Sequence, residues 1–425
     1  MKLAVIGAGV SGLVSAHLLS GSHEVTLFEA EPRLGGHVNT VRLSHRTLPL
    51  NIDTGFIVYN ETNYPLFSRL LEKLGVPTQP TSMSFSVRDD TSNIEYSGHS
   101  FNTLFSQRPL LFNKEHWRML WDIRQFMHYA PKQISATPNL EIEAFLRQFG
   151  YSRPFAERFL IPLAASLWSS PEKEIRQFPA RFVTEFLAHH GMLSLHNRPQ
   201  WRVVTGGSVR YVERLLEVTP ICIRKGNPVK GLGRTRNGVV VHTEHETECF
   251  EEVIVACHSN QALSLLQHPT KEEQEILGGI RYQENDVVLH TDTSVLPRNP
   301  NVWASWNYRV LAGSSYGAAV TYNMNLLQSI DAEETYCVSL NQSHLIAPEK
   351  IVRRFQYHHP IATLEAEAAK LRRHELLRHQ RISYCGAYWG YGFHEDGLMS
   401  GLDVAAHFGA LPDWEQRPRL ATAAE

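Results

Sequence analysis

The chain has 425 residues, of which 43% are hydrophobic and 20% are charged, and its formal net charge is −2. This length is more than one hydrophobic core usually serves, so we expect a globular protein of two domains. The nearly balanced charge provides no broad basic surface, which argues against nucleic acid or another polyanion as a partner.

The cysteines and histidines show no arrangement typical of a cross-linked or metal-binding protein. The 5 cysteines form no Cys-x-x-Cys pair, and the 22 histidines include no His-Glu-x-x-His spacing. We therefore expect a reducing, cytoplasmic environment, no disulfide framework and no metal. No apolar run reaches the length of about 18 residues that indicates a membrane-spanning helix.

The N-terminal segment predicts a dinucleotide-binding unit. Lys2 to Ile6 has the composition of a buried strand, and Gly7 to Gly12 follows it with the pattern Gly-x-Gly-x-x-Gly. Leu13 to Leu19 indicates a helix, and Val25 to Phe28 indicates a second strand that ends at Glu29. A helix that begins at such a turn offers N–H groups to a pyrophosphate, and an acid after the second strand accepts ribose hydroxyls. The residues predicted to hold the dinucleotide here are Gly7, Gly9, Val10, Ser11, Gly12, Glu29 and Ala30.

A second glycine pair follows this unit. Arg33 precedes Gly35 and Gly36, and His37 comes directly after them. With this doublet the sequence resembles the FAD-dependent flavoproteins of the flavin-containing amine oxidase superfamily. The resemblance implies an α/β fold, in which a Rossmann-like FAD-binding domain is combined with a discontinuous α+β substrate domain. It also implies that Arg33, Gly35, Gly36 and His37 lie along the FAD pyrophosphate, although many members have an arginine in place of His37.

The segment after the doublet returns to the cofactor. An Asp-x-Gly turn occurs within Asn51 to Phe56, and the resemblance implies that Thr54, Gly55 and Phe56 contact the flavin ring. A turn without ligand contacts is the alternative interpretation. Tyr64 to Leu74 has the apolar spacing of an amphipathic helix.

Residues 101–199 are rich in aromatic and aliphatic side chains at helical spacing. Such side chains usually form a core, and they also line tunnels that accept apolar substrates. We expect both uses in this region, with a tunnel that leads to the flavin.

The remaining segments alternate between the two expected domains. Val253 to Ala256 is predicted as a buried strand beneath the nucleotide, and the resemblance implies that the backbone of Val229 pairs with the adenine. Asn301 to Tyr308 is predicted as a strand of the substrate domain, and Ile361 to His379 as a helix. The predicted FAD-binding domain comprises residues 1–78, 200–266 and 380–410, and the substrate domain comprises 79–199 and 267–379, with a tail at 411–425.

The closing segment is predicted to cap the flavin. Ile382 to Gly386 indicates a last strand, and a helix is predicted from Leu398 to His407. The resemblance implies that Gly386, Asp396, Gly397 and Leu398 contact the cofactor. Tyr388, Trp389 and Tyr391 are predicted to form the walls of the substrate site. His394 and Glu395 are the titratable residues expected nearest the flavin ring, where they would act as a base or an orienting group. The alternative is that they only support the loop of residues 387–397, which we call the cap loop.

A narrower resemblance concerns the substrate. Segments such as Gly35-Gly36-His37, Thr321 to Asn325 and Gly392 to Gly397 are similar to predicted FAD-binding proteins associated with cyclopropane-fatty-acyl synthase-like methyltransferases. The resemblance implies a desaturase-type oxidation of a C–H bond on an apolar, methylated fatty acyl substrate. We expect non-covalent FAD, because no cysteine or histidine here has an evident attachment context. The apolar bulk of residues 101–199 predicts a substrate taken from a membrane surface or carrier. The alternatives are an amine oxidase, and a non-catalytic flavin-binding partner of a lipid methyltransferase.

Overall fold

A computed structural model describes residues 1–44, 49–194, 198–311 and 318–412. Most of the predicted tail, from residue 413 onward, lies outside the described residues. The strands are β1 Lys2–Ile6, β2 Glu24–Glu29, β3 Thr40–Leu43, β4 Leu50–Asp53, β5 Val58–Asn60, β6 Thr78–Thr81, β7 Phe85–Asp89, β8 Ile94–Ser97, β9 Trp201–Val204, β10 Cys222–Lys225, β11 Val229–Arg234, β12 Val239–Thr243, β13 Thr247–Phe250, β14 Glu252–Val255, β15 Tyr282–His290, β16 Trp306–Val310, β17 Val320–Asn323, β18 Cys337–Leu340, β19 Ile351–Pro360 and β20 Ile382–Tyr384. The α-helices are α1 Val10–Leu19, α2 Pro65–Lys73, α3 Phe101–Leu104, α4 Lys114–Ala136, α5 Ile142–Gln148, α6 Arg153–Phe155, α7 Ile161–Trp168, α8 Glu172–Ile175, α9 Ala180–His189, α10 Val209–Glu217, α11 Ser259–Leu265, α12 Lys271–Gly278, α13 Met324–Gln328, α14 Leu364–Leu371 and α15 His394–Ala406.

A parallel sheet in the order β10-β2-β1-β14-β20 forms the nucleotide half of the molecule. Its strands come from three distant parts of the chain. Strand β1 lies at the centre of the sheet, and both of its faces are buried. Leu3 and Val5 pack with α1 and α15 on one face, whereas Ala4 and Ile6 pack with the β11–β13 layer on the other. This doubly covered parallel sheet explains why β1 is almost wholly apolar, and it confirms the predicted Rossmann-like fold.

A seven-stranded sheet in the order β19-β15-β18-β17-β16-β7-β8 forms the second half. Helices α4 to α9 contribute Phe126, Phe155 and Phe186 to the core that covers this sheet. Strands β7 and β8 form an antiparallel hairpin at one edge of this sheet. The aromatic side chains of residues 101–199 therefore mainly build this core. The domain boundaries remain a prediction.

Three elements differ from the sequence prediction. The helix expected from Ile361 to His379 comprises only Leu364–Leu371, because the Thr363 side chain caps its beginning and a separate 3-10 turn follows at Arg373–Leu376. The strand expected from Asn301 begins only at Trp306, because Asn299 caps a short 3-10 turn at Pro300–Val302. The helix expected from Leu398 begins instead at His394, because the Asp396 carboxylate accepts the N–H of Phe393 at 2.9 Å and starts the helix earlier. No helix in the described ranges is long and apolar enough to cross a membrane.

Candidate active site

A single cavity of about 910 Å³ connects the two halves of the molecule. This volume lies near the upper end of the range of about 300–1,000 Å³ for small-molecule sites. One end follows the glycine turn, the doublet, Glu29 and Val229 across the carboxyl edge of the parallel sheet. The other end extends beneath the seven-stranded sheet, between Trp168 and Trp306. We call these the nucleotide end and the apolar end.

The glycine turn holds its shape without side chains and leaves space beside it. A Cβ added to Gly12 would lie 2.0 Å from the carbonyl oxygen of Gly7, so only glycine lets the helix return so close to β1. A Cβ added to Gly9, by contrast, would meet nothing within 4 Å, and Gly9 lines the cavity. The open space at Gly9, at the N-terminus of α1, fits a pyrophosphate.

Glu29 connects the second strand to this turn. One carboxylate oxygen accepts the N–H of Ala8 at 2.7 Å, and the other accepts the N–H of Glu31 at 2.9 Å. Glu29 lines the cavity, and each oxygen has a further lone pair for a ribose hydroxyl. The residues of this end therefore fit the adenosine part of FAD.

The doublet is held against the glycine turn. Arg33 donates from Nη1 to the carbonyl oxygens of Gly36 at 2.7 Å and Val38 at 3.2 Å, which fixes the loop. The guanidinium also lines the cavity, and its remaining N–H groups are available to an anion.

The Asp-x-Gly turn lies at the junction of the two ends. Thr54, Gly55 and Phe56 all line the cavity. The Thr54 hydroxyl donates to the carbonyl oxygen of Asn39 at 2.9 Å and lies 2.9 Å from the hydroxyl of Tyr357. Asp53 beneath this turn is fully buried and accepts the N–H of Ser208 at 3.0 Å, so its role is to fix the turn. Burial raises the Asp53 pKa to about 7.

The predicted cofactor residues fall into two groups. The following line the cavity: Gly7, Gly9, Val10, Ser11, Glu29, Ala30, Arg33, Gly35, Gly36, His37, Thr54, Gly55, Phe56, Val229 and Gly386. Four others do not line it, namely Gly12, Asp396, Gly397 and Leu398. Gly397 and Leu398 are drawn into the packing of α15 on α1, where Leu398 is fully buried and a Cβ on Gly397 would lie 2.7 Å from Val10. The Asp396 carboxylate instead turns to the loop before α15, where it accepts the N–H of Phe393.

The predicted wall residues also divide. Tyr388 and Tyr391 line the cavity, and the buried hydroxyl of Tyr388 has no hydrogen-bond partner among the described residues. Trp389 does not line it, since its indole N–H donates to the carbonyl oxygen of Tyr384 at 3.2 Å within the core on the far side of β20. We expected all three rings to form the wall of the substrate site, whereas only Tyr388 and Tyr391 line the cavity.

His394 and Glu395 are neighbours in sequence but point to different places. His394 lines the cavity, stacks on Phe56 with ring centroids 3.7 Å apart, and places Nε2 at 2.6 Å from the Tyr211 hydroxyl. Burial lowers its pKa to about 3, so the ring is neutral. Glu395 does not line the cavity.

Glu395 caps another helix instead. Its two carboxylate oxygens accept the N–H groups of Leu66 at 2.8 Å and Phe67 at 3.0 Å, at the beginning of α2. Burial raises the Glu395 pKa to about 7. The contacts of Glu395 are those of a support for the cap loop, which was the alternative interpretation of this residue.

Sequence reasoning missed most of the apolar end. The aromatic and sulfur-containing side chains that line it are Met83, Trp168, Phe186, Met192, Trp201, Trp306, Tyr322 and Phe355. They come from helices, strands and loops spread over the whole second half, so only the aromatic density of residues 101–199 signalled some of them. His258 and the pair His358 and His359 were also not assigned, although all three line the cavity.

The parallel sheet and the glycine turn that lines this cavity define a dinucleotide-binding protein. The family model of the flavin-containing amine oxidoreductases matches residues 10–407. The chain therefore belongs to the flavin-containing amine oxidoreductase family.

Individual relatives are distant. The L-amino-acid oxidase of Mus musculus is 25% identical over 307 residues, which is 66% of this chain and 46% of that protein. The chain thus spans less than half the length of this curated relative. Among solved structures, an Exiguobacterium sp. 255-15 protein assigned to the protoporphyrinogen oxidases matches with a TM-score of 0.69 at 16% identity, covering 96% of this chain and 98% of that one. A CLA-producing fatty acid isomerase from P. acnes matches with a TM-score of 0.67 at 14% identity, again covering 96% and 98%. At these identities the structural matches show the fold.

Proposed function

We propose that this chain is an FAD-dependent oxidoreductase that removes a hydride from a C–H bond of a long apolar acyl substrate. The observation that carries the proposal is the absence of charged side chains from the apolar end. Within the described ranges, the acids that line the cavity are Glu29 and Glu31, and the one strong base is Arg33. All three lie at the nucleotide end, so the apolar end offers no ion pair to an ammonium or carboxylate group.

Aromatic rings and methionines give the apolar end its character. Trp168 packs on Phe186 with ring centroids 4.9 Å apart, and Phe186 stacks on Phe393 at 4.8 Å. These rings bring α7 and α9 against the cap loop, where Trp168 donates to the carbonyl oxygen of Tyr391 at 3.1 Å. A continuous apolar wall of this kind excludes water and binds methylene groups by burial.

The residues assign roles on the substrate side of the reaction. Bound FAD supplies the two-electron acceptor for the hydride. Phe56 and Tyr391 would orient the chain beside it. His394, with its Nε2–H donated to the Tyr211 hydroxyl oxygen, would accept at Nδ1 the second hydrogen of a desaturation, which leaves as a proton. The same fold occurs in a fatty acid isomerase, so it is compatible with a fatty acid in the cavity.

We also propose that FAD is bound without a covalent bond. Of the described cysteines, Cys257 lines the cavity, and burial raises its pKa to about 12, so it stays a protonated, unreactive thiol. Cys385 is buried behind the last strand. Acid precipitation is expected to release all yellow colour into the supernatant, and colour retained in the pellet would contradict this.

The proposal is tested by anaerobic titration with acyl chains of increasing length. Each buried methylene contributes about 0.8 kcal/mol, so the affinity is expected to rise by about fourfold per methylene until the apolar end is filled. Bleaching of the flavin absorbance reports hydride transfer. Bleaching by primary amines, with none by acyl chains, would replace the acyl substrate with an amine.

An amine or amino acid oxidase is the second candidate function, because the family and the mouse L-amino-acid oxidase favour it. Among the described residues, no lysine lines the cavity to serve such an oxidase. Lys370 lies behind the cap loop, where it donates to the carbonyl oxygen of Gly390 at 2.7 Å. A flavin that neither class of compound bleaches would support the non-catalytic role beside a lipid methyltransferase. Co-purification with that methyltransferase is the direct test of the partnership.

A further inference from the structure

Four histidines surround the part of the cavity next to the glycine doublet. His37 follows the doublet, His258 precedes α11, and His358 and His359 end β19; all line the cavity. The ring centroid of His37 lies 5.9 Å from that of His258 and 5.3 Å from that of His359, and His258 lies 6.3 Å from His358. Three separate segments of the chain thus place imidazoles around one point.

That point adjoins the N-terminus of α1. Gly35 donates its N–H to the carbonyl oxygen of Ala8 at 2.8 Å. Gly36 has a φ of +60°, and a Cβ on it would lie 3.0 Å from the Cα of Gly9. His37 therefore begins directly beside the turn where a helix N-terminus attracts phosphate.

The neighbours of two of the rings show what they offer to a ligand. The Nδ1 atom of His359 accepts from the side-chain amide of Asn285 at 3.0 Å, and Asn341 donates to the oxygen of that amide at 2.7 Å. A neutral imidazole that accepts at Nδ1 carries its proton on Nε2, so His359 presents an N–H donor. The Nε2 atom of His37 is buried without a hydrogen-bond partner among the described residues. Leaving such a group unpaired is unfavourable, and a bound ligand that pairs with it would remove this cost.

The groups around the cluster keep it neutral without an anion. Burial lowers the pKa of His37 and His258 to about 3 and that of His359 to about 4, and the mutual repulsion of the rings adds to this effect. Arg33 faces His37 from the doublet loop and lowers its pKa further. The other facing groups are the Tyr357 ring at 5.1 Å from His37, the Tyr282 ring stacked on His258 at 4.7 Å, and the Glu284 carboxylate, 3.6 Å from His358.

We propose that His37 binds the diphosphate of FAD as an imidazolium group, with His359 beside it as a neutral Nε2–H donor and with His258 and His358 in support, so that FAD binding takes up a proton. The cluster would supply the cationic contact that an arginine after the doublet gives in many proteins this sequence resembles. This rests on the proposed function, since it requires FAD in the nucleotide end. Metal coordination finds no support, because the described residues contain no group of three or more His, Cys, Asp or Glu side chains able to hold an ion.

The sign of the pH dependence follows from the two states. A dianion beside the His37 ring stabilises the charged form of this ring and raises its pKa, so the complex holds a proton that the free site does not. Between the free and bound pKa values, the dissociation constant for FAD rises with pH, by up to tenfold per pH unit for each proton taken up. Cofactor retention would thus weaken as the solution becomes more alkaline.

The experiment measures FAD affinity of flavin-depleted protein from pH 5.5 to 8.5, with calorimetry in two buffers of different ionisation enthalpy to count protons. ADP and adenosine serve as ligands with and without the diphosphate. ADP should show the same pH dependence as FAD, and adenosine should show none. Net proton uptake close to zero for both FAD and ADP would overturn the proposal.

Three variants separate this from a structural effect. H37Q should weaken FAD and ADP binding at low pH by at least tenfold and flatten the pH profile, whereas H37R should restore tight binding without proton uptake from this position. H128Q, which changes an exposed histidine of α4, is the control and should leave both unchanged. If H37Q leaves FAD and ADP binding intact but weakens fatty acid binding, the cluster holds an acyl carboxylate and the proposal fails. If neither the native protein nor H37R binds FAD at any pH, the proposed function itself fails.

Discussion

The two ends of the cavity are built by opposite means. The nucleotide end is made largely of backbone from contiguous segments. Gly9 leaves space, Gly36 lets the doublet approach the turn closely, and Glu29 fixes the turn through two N–H groups. The apolar end is made of side chains from distant elements, such as Trp168 on α7 and Trp306 on β16. A backbone site depends on a few positions that accept no side chain, whereas a side-chain wall distributes its binding over many replaceable groups. We therefore expect single substitutions to act strongly at the nucleotide end and weakly at the apolar end.

The sharpest test of this contrast is a pair of glycine substitutions. G9V should abolish FAD binding, by more than about a hundredfold, because its side chain would occupy the open space beside the α1 N-terminus. The fold should survive, since the Gly9 backbone has a φ of −73° that any residue adopts. Equilibrium dialysis measures the first effect, and thermal unfolding of the flavin-free protein measures the second.

G12V is the matched control. Its Cβ would collide with the Gly7 carbonyl oxygen, so the flavin-free protein itself should be destabilised. If G9V binds FAD normally, the pyrophosphate does not lie where we place it.

Glu29 should give the next largest effect. E29Q removes the charge but keeps a side chain that can accept one N–H, and it should weaken FAD binding by about 1–3 kcal/mol, the range for hydrogen bonds to charged groups. E24Q, at the exposed beginning of the same strand, should leave the affinity unchanged. Equal FAD affinities for both variants, measured by flavin fluorescence, would remove Glu29 from the ribose site.

The apolar end should respond more weakly. M192A should lower the affinity for a long acyl chain by about 2 kcal/mol, since it removes the Cγ, Sδ and Cε atoms from the wall, at about 0.8 kcal/mol for each methylene-sized group. M127A truncates another half-buried methionine, on α4 and outside the cavity, and should not change the affinity. FAD affinity should be the same in both variants; a change confined to FAD would mean that Met192 contacts the cofactor instead.

The smallest effect is expected for Glu395, and it concerns stability. E395Q loses one of the two acceptors at the α2 N-terminus and should lower the free energy of unfolding by about 1–2 kcal/mol. Because burial raises the Glu395 pKa to about 7, the folded state holds this proton more tightly than the unfolded chain does. In the native protein this residue's contribution to stability should therefore fall as the pH rises from about 4.5 towards 7.

E395Q should lose that part of the pH dependence. Urea unfolding at several pH values measures both effects. A large fall in kcat with unchanged stability would instead assign Glu395 a catalytic role.

Local sequence signals predict where the nucleotide end lies. Gly7 to Gly12, the doublet and Glu29 are local signals, because each constrains a turn or a close approach within a short stretch of chain. The strands that surround them could be predicted for the same reason, since buried parallel strands are short, apolar and bounded by turns. Membership of the flavin-containing amine oxidoreductase family agrees with this prediction.

The rest of the site depends on contacts between segments that lie far apart in the chain, so it could not be predicted from local sequence. The start of α15 could not be predicted because its N-cap is Phe393, not one of the usual capping residues, and only the Asp396 carboxylate satisfies its N–H. Trp389 and Tyr391 are equivalent by composition, and packing sends one into the core and the other to the cavity. His37 and His359 meet only because β19 ends beside the doublet, a contact between segments more than 300 residues apart, which no local spacing of residues specifies.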